Sequence, residues 1–385
     1  MTAKLQTFRV TLTTISPVFI GGGEEALSPD TDYIKQKAGN QVIIIDQQKL
    51  QQKLQEALVQ NPALIDEFVV GIRHFDNNRS RFSLSDFITS RLNVPISDVE
   101  KCRLPVEGEL QKTPIRRFIA SAGRPFIPGS TIKGAIRTAV LLDWLLKTNA
   151  GKKQLAEIRM YVEKKDFKAL KQLDPGKECF GSIARDVFKY LRVSDSALID
   201  ATSLSVSEIK RVSIKEQRGN MQRRRSDIPM WGEALNSGTE GICTVSILKP
   251  SSLTGFPFLD NQSITALLRI VNDQSRDSCE REQLELEHAP RDFDQFKRFY
   301  DKLLDNINKT ANNNAIVRLG GGKTWFDNSI GLAIDQEEFG PELLFGAYLK
   351  LLKLGNLPFP STRSAVLKDG QPALPLGWVK LSIGG

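Results

Sequence analysis

The stretch 124-RPFIPGSTIKGAIRTAVLLDWLL-146 constrains the fold more than any other part of the chain. A short apolar strand stops at Pro128-Gly129, and a strongly apolar helix starts at once. Ile132, Ala135, Ile136, Ala139 and Val140 recur at helical spacing, so this helix has to be covered along one side. Lys133 and Arg137 are four residues apart and share the opposite face. Ser130 or Thr131 can cap the start. Cations this early oppose the helix macrodipole by a few tenths of a kcal/mol, roughly, and a phosphate bound at the helix start removes that penalty. Gly134 costs roughly 0.5–1 kcal/mol relative to Ala in a helix interior, which makes sense where another backbone packs closely. The plainer alternative is an ordinary cationic helix face.

Around this helix the pattern alternates irregularly. Residues 7–23 read as a β-branched strand closed by Pro17 and three glycines, and 41–46 as a second strand. Residues 47–104 look like a helical insertion, and 151–190 are charged and helical in pattern. Strands are expected at 191–195, 208–215, 240–248, 315–319 and 377–383. Helices are expected near 264–272, 293–308 and 342–354. This mixture lacks the strict alternation of a doubly wound sheet, so the expected class is α+β, compatible with ferredoxin-like βαββαβ units carrying insertions. At 385 residues two domains are expected. The segment PSSLTGFP, residues 250–257, is the best linker, giving domains 1–250 and 251–385.

The net charge of +8 is unevenly spread. Lys112 to Arg137 holds six cations and no acid, and Lys210 to Arg225 holds seven against Glu216 alone. Two such blocks are the footprint of a polyanion binder. No segment is apolar and long enough to span a membrane, no secretory signal core follows the N-terminus, and the four cysteines stand singly. The expectation is a soluble cytoplasmic protein with inert thiols, no structural metal and no cofactor.

Two glycine motifs invite misreading. At 320-GGGKT-324 a P-loop would need glycine at position 317, which is Val317, so the loop is too short to encircle a phosphate. Gly21, Gly23 and Ala26 match a dinucleotide fingerprint, with Asp46 as the acid. Ser28-Pro29-Asp30 delays any helix too far to aim its amides at a pyrophosphate. Three successive glycines, found twice, instead suit exposed amides that admit a backbone closely. Arg318 and Lys323 flank the second run, so Gly21, Gly22, Gly23 and Gly320, Gly321, Gly322 become candidates for holding an RNA strand. Phe19 and Trp325 are candidates for base stacking.

Taken together, FIPGSTIKGAIRTA, the strand ending SPVFIGGGEE, RLGGGKTW, FPSTRSAV and LPLGWVKL resemble the RAMP superfamily of CRISPR effector proteins, nearest to the fifth subunits of type III-A Csm complexes. The resemblance implies two RRM-like (ferredoxin-like) domains, with the 47–104 insertion on the first and the 320–322 glycine loop in the second. It implies a non-catalytic subunit that caps the crRNA 3′ end and supports crRNA maturation, with crRNA, target RNA and other Csm subunits as partners. The adjacent RAMP backbone subunit and host nucleases are among them. On this reading Gly129, Ser130, Thr131, Lys133 and Arg137 bind RNA at the helix start. The basic segment 215–227 falls where backbone subunits carry a thumb, which adds Arg218, Arg223, Arg224 and Arg225. No aspartate aligns with the target-cutting residue of backbone subunits. The enzymatic rival is a metal-independent crRNA-processing ribonuclease, whose general base would be His74, since His288 sits in an acidic stretch.

Overall fold

The computed structural model describes residues 5–23, 25–29, 31–36, 39–59, 61–75, 82–214, 230–287, 289–335, 342–353 and 360–384. The fold is a mixed α+β arrangement built on two sheets. Five antiparallel strands form the first, in the order Asn314–Arg318, Trp378–Ile383, Leu5–Thr14, Glu240–Leu248, Leu191–Val193. Strand alternation gives this sheet an apolar inner face of Val10, Leu12, Cys243, Val245, Ile247, Val379 and Leu381. Helix Gly129–Lys147 covers that face with the stripe expected from its spacing, Ile132 to Val140, and helix Ile264–Glu287 lies beside it with Leu267, Leu268 and Val271.

The order of these elements corrects the domain division. Strand Leu5–Thr14, helix Gly129–Lys147, strands Leu191–Val193 and Glu240–Leu248, helix Ile264–Glu287 and strand Asn314–Arg318 form one βαββαβ succession. It uses strands from both sides of residue 250 in a single sheet, and the last strand of the chain inserts next to the first. A boundary at 250 would cut through this core. Within 250–257 only Phe256 is buried, stacked on Phe180, and the residues that follow it, Phe258 and Leu259, enter the main core.

The second sheet runs Gln371–Pro375, Thr362–Lys368, Leu204–Ser213, Glu100–Glu107, Gln41–Ile45, Tyr33–Gln36, with Met230–Leu235 and Ile115–Arg116 attached at its side. Between 47 and 99 the described residues are mainly helical, with helices Gln47–Leu58 and Ala63–Phe75 and shorter turns up to Ile96–Val99. Their small core is Ile43, Ile45, Leu50, Leu84, Phe87 and Ile88. Residues 100–104, expected to be helical, are strand. Leu104 and Val106 point inward while Arg103 and Glu107 are exposed, a period-two pattern.

Among the described residues no helix is long and apolar enough to cross a membrane. The cysteines are unpaired, and burial pushes the Cys179 and Cys279 thiols up to about 12 and Cys243 up to about 11.

Candidate nucleic-acid interface

The two glycine runs, separated by 300 positions, meet in space. Gly321 N–H donates to the Phe19 carbonyl at 2.9 Å, and a Cβ on Gly320 would overlap that same oxygen. Gly377 completes the knot. Its N–H donates to the Pro17 carbonyl at 2.8 Å, and its own carbonyl accepts from Leu319 N–H at 2.7 Å. The first run then pairs outward. Leu27 and Ile115 exchange backbone hydrogen bonds, Gly21 bridges Phe118, and Ile119 N–H donates to the Ile20 carbonyl at 2.8 Å. Phe126 N–H reaches back to the Ile119 carbonyl at 3.4 Å, two residues before the helix cap. The three motifs are thus joined by one continuous run of backbone pairings, from 320–322 through 19–23 and 115–119 to 126–130.

Along this run Gly21, Gly22, Gly23 and Gly321 are exposed, while Gly322 is buried against Leu376. Exposed Arg116 lies in the segment that pairs with residues 21–27, and exposed Arg124 donates to the Leu198 carbonyl at 3.1 Å. Phe19 is buried, packed with Ile209, Val366 and Leu376, so it does not present a stacking face. Trp325 is half-buried beside Phe326 and Tyr348.

The helix start differs from its sequence reading. Helix Gly129–Lys147 has Pro128 as its cap residue, and neither Ser130 nor Thr131 caps it. The anion at its first turn belongs to the protein: Asp195 Oδ1 accepts from Gly129 N–H at 2.7 Å. Gly129 is buried against the Val193 and Ser194 backbone, which leaves no room for a Cβ. Ser130 is exposed and Thr131 half-buried. Lys133 Nζ donates to the Leu191 carbonyl at 2.7 Å, and burial pulls its ammonium below lysine's ordinary value, against the attraction of Asp186. Arg137 pairs with Asp186 at 2.9 Å and lies over the Phe180 ring, 3.9 Å from its centroid. These two cations fasten the helix to the chain that returns from residue 180 to the sheet. Gly134 is exposed with no atom near its missing Cβ, so the close backbone expected there is not supplied by the described residues of this chain.

The cap makes a prediction. Asp195→Ala removes the carboxylate from an otherwise unsatisfied helix amide and is expected to lower stability by about 0.5–2 kcal/mol, the range for lost N-caps. Asp195→Asn, which keeps an acceptor oxygen, should recover most of that loss in urea unfolding.

Arg318 is a correction. It is 2% exposed, donates to Asp327 Oδ2 at 3.1 Å and to the Leu376 carbonyl at 3.1 Å, and lies 3.7 Å from Glu282. Glu282 is fully buried and accepts from Arg363 Nε at 2.5 Å. Asp327 also accepts from Thr324 and Ser278. Burial alone would lower the Arg318 pKa, but the adjoining Asp327 and Glu282 carboxylates hold it above its ordinary value. Arg318 therefore braces the glycine loop from inside and is not presented to a ligand. Lys323 is half-buried, and burial lowers its pKa against the attraction of Asp327. Sequence reading missed Asp195, Glu282, Asp327 and Arg363. Of these, only Arg363 falls in a string singled out for its resemblance, FPSTRSAV, as Gly377 does in LPLGWVKL. Arg218, Arg223, Arg224, Arg225 and His288 lie outside the described residues. His74 stands near the end of helix Ala63–Phe75, and its side chain is likewise outside the description.

A model of the RAMP superfamily matches residues 11–326. The chain belongs to the RAMP superfamily. That span of this RAMP protein includes both glycine runs and the whole Gly129–Lys147 helix. Csm5 of Methanocaldococcus jannaschii, described as a CRISPR system protein, is 27% identical to it over 407 residues, covering 98% of this chain and 89% of the relative. Csm5 of Streptococcus thermophilus is 26% identical over 243 residues, covering 61% and 62%. Among solved structures, a chain of the cryo-EM structure of a Csm-crRNA-target RNA ternary complex from a type III-A CRISPR-Cas system superposes with a TM-score of 0.71. The identity is 22%, and 98% of this chain and 100% of that one are covered. The crystal structure of T. onnurineus Csm5 gives a TM-score of 0.66 at 21% identity, covering 96% and 99%. The resemblance of this RAMP chain to fifth Csm subunits thus extends over its whole length, and the solved structures share its α+β fold.

Proposed function

We propose that this chain is a non-catalytic, crRNA-binding subunit of a type III-A CRISPR ribonucleoprotein, capping the crRNA 3′ end and supporting crRNA maturation. The observation that carries the reading is the backbone pairing that joins the two glycine runs to residues 115–130. Exposed backbone at Gly21–Gly23 and Gly321 is linked, through the pairing of 20–27 with 115–119, to the segments that carry exposed Arg116, Arg124 and Ser130. Exposed glycine backbone at Gly21–Gly23, with cations on the paired segment, suits a ribose-phosphate backbone because it recognises charge and shape rather than base identity, while the Gly321 amide is spent on Phe19. The full-length similarity to Csm5 proteins supports the same partners: crRNA, target RNA and neighbouring Csm subunits, with host nucleases acting in maturation. We read the βαββαβ succession as one ferredoxin-like unit, carrying the helical insertion and a second sheet, and the 215–227 segment as a thumb bearing Arg218, Arg223, Arg224 and Arg225. Arg318 leaves the RNA-binding set, and Lys133 and Arg137 stay in it only for the charge that their partners Leu191 and Asp186 leave unspent.

The test is affinity for single-stranded repeat RNA as a function of salt. For a single strand log K should fall against log[salt] by roughly 0.7 per phosphate engaged. Arg116→Ala with Arg124→Ala should flatten the slope by about one to two units without changing the fold. Lys133→Ala with Arg137→Ala should change stability more than slope. The RNA should remain intact. Absence of salt-sensitive binding would defeat the reading, and site-specific cleavage abolished by His74→Ala would replace it with a ribonuclease.

A further inference from the structure

The outer face of the five-stranded sheet carries a row of cations that the function above does not use. Register places Arg192 opposite Ser246, which lies opposite Thr7, and Arg9 opposite Thr244. Lys380 lies opposite Thr13. All of these share the face turned away from Val10, Leu12, Val245 and Ile247. Arg9 and Arg192 are exposed and Lys380 is half-buried. None of the three is in a hydrogen bond or ion pair among the described residues. With strands about 4.8 Å apart and residues about 3.3 Å apart, Arg192, Arg9 and Lys380 follow a bent path across the sheet, with steps of roughly 12 and 14 Å. Hydroxyls of Thr7, Thr11, Thr244, Ser246 and Ser382 fill the space between, and Thr7 and Ser246 hydrogen-bond at 2.9 Å. The opposing features are Glu240, opposite Thr13 at one corner, partly exposed Ile242, exposed Leu5 opposite Leu248, and, beside Lys380, Ile316 and Trp378, which are buried under Phe296 and Tyr300 and close the face at that edge. No exposed aromatic side chain occupies these registers.

We infer that this face binds the ribose-phosphate backbone of single-stranded RNA, as a continuation of the strand that the proposed function puts on the glycine loops; the inference rests on that reading. Charge complementarity selects the occupant, since unpaired cations separated by hydroxyls match phosphates and 2′-hydroxyls. The missing aromatics mean that bases are not stacked here, so the contact is indifferent to sequence. Position connects the two surfaces. Lys380 stands in the strand that begins just after Gly377, the glycine that ties Leu319 to Pro17, so the cations lead toward the strand end that carries the loops.

The experiment compares the full-length chain with the variant Arg9→Ala/Arg192→Ala/Lys380→Ala, titrated with a short and a long oligouridylate across a salt series. The long oligomer's slope should fall by about two units in the variant, at roughly 0.7 per lost contact, and the short one's should barely change. Thr244→Lys should steepen the long oligomer's slope by about 0.7, a gain that damage to the fold cannot imitate. An unchanged slope for the long oligomer, with the Arg116 and Arg124 effect intact, overturns this inference and leaves the proposed function standing. Failure of the unmodified chain to bind either oligomer overturns both. Normal RNA binding by the triple variant, together with loss of association with a neighbouring subunit, makes the face a protein interface and also overturns it.

Discussion

Arg318→Ala is expected to destabilise the chain by about 3–5 kcal/mol, the cost of removing one partner from a buried ion pair. The substitution leaves Asp327, 4% exposed, without its guanidinium and Glu282, 0% exposed, with that of Arg363 alone. It also frees the Leu376 carbonyl, which Arg318 Nε holds beside the second glycine run. Water cannot take over these roles cheaply, because helix Ile264–Glu287, strand Asn314–Arg318 and the Thr324–Asp327 turn close around the cluster. Arg116→Ala is the control: an exposed cation from the same sequence class should change stability by no more than about 0.5 kcal/mol. Urea unfolding with an unchanged m-value reads both. A loss under about 1 kcal/mol for Arg318→Ala would mean that the network contributes little and that the arginine is free for other work.

That contrast shows what sequence alone could resolve. Arg318 beside three glycines and Arg116 in an acid-free run look alike as letters, because one-dimensional charge density does not distinguish a solvated guanidinium from a buried one. The acids that decide it, Glu282 and Asp327, are 36 and 9 residues away and come from a helix and a turn. The helix start failed for the same reason. Spacing identified the buried stripe from Ile132 to Val140, since period 3.6 is a local property. The carboxylate at the first amide, Asp195, is contributed by a return segment 66 residues later. Elements with a clean period were legible: strand Glu240–Leu248 alternates along its whole length, and helix Asp294–Asn308 is strongly amphipathic.

The second sheet was read only in part: strands were expected at 41–46 and 208–215, but not at 204–207, 230–235 or 362–375. Leu204–Ser213 is flanked on both sides and covered on both faces, so Leu204, Ser205, Val206 and Ser207 are all buried. Buried serines there imitate a polar loop. Topology was hidden for another reason. A final strand, Trp378–Ile383, that slips between the first strand and Asn314–Arg318 has no local signature, and a linker rich in Pro, Ser and Gly at 250–257 outweighed it. What did carry information about the site was the recurrence of glycine, which local rules explain only in part. Its use became clear once Gly320, Gly321 and Gly377 were seen holding one another's neighbours.

The largest backbone effect should come from that knot. Gly377 has φ +95°, and a Cβ there would overlap the Leu319 carbonyl oxygen. Gly377→Ala therefore meets two penalties, left-handed backbone strain of about 1–3 kcal/mol and a steric clash that only movement of Leu319 can relieve. Moving Leu319 breaks its hydrogen bond to Gly377 and, through Gly320 and Gly321, loosens the contact with Phe19 that joins the two runs. Gly23→Ala shares the positive φ, +74°, but has no atom near its missing Cβ, so it should show the strain without the clash. Gly377→Ala should accordingly lose at least about 2 kcal/mol more than Gly23→Ala. If the loops act as one RNA surface, it should also weaken binding to the short oligouridylate at every salt concentration while leaving the slope unchanged, because no cation is removed. Equal losses from the two substitutions would show that the 376–377 turn yields freely, and the joined loops could then no longer be the rigid frame on which exposed amides meet RNA.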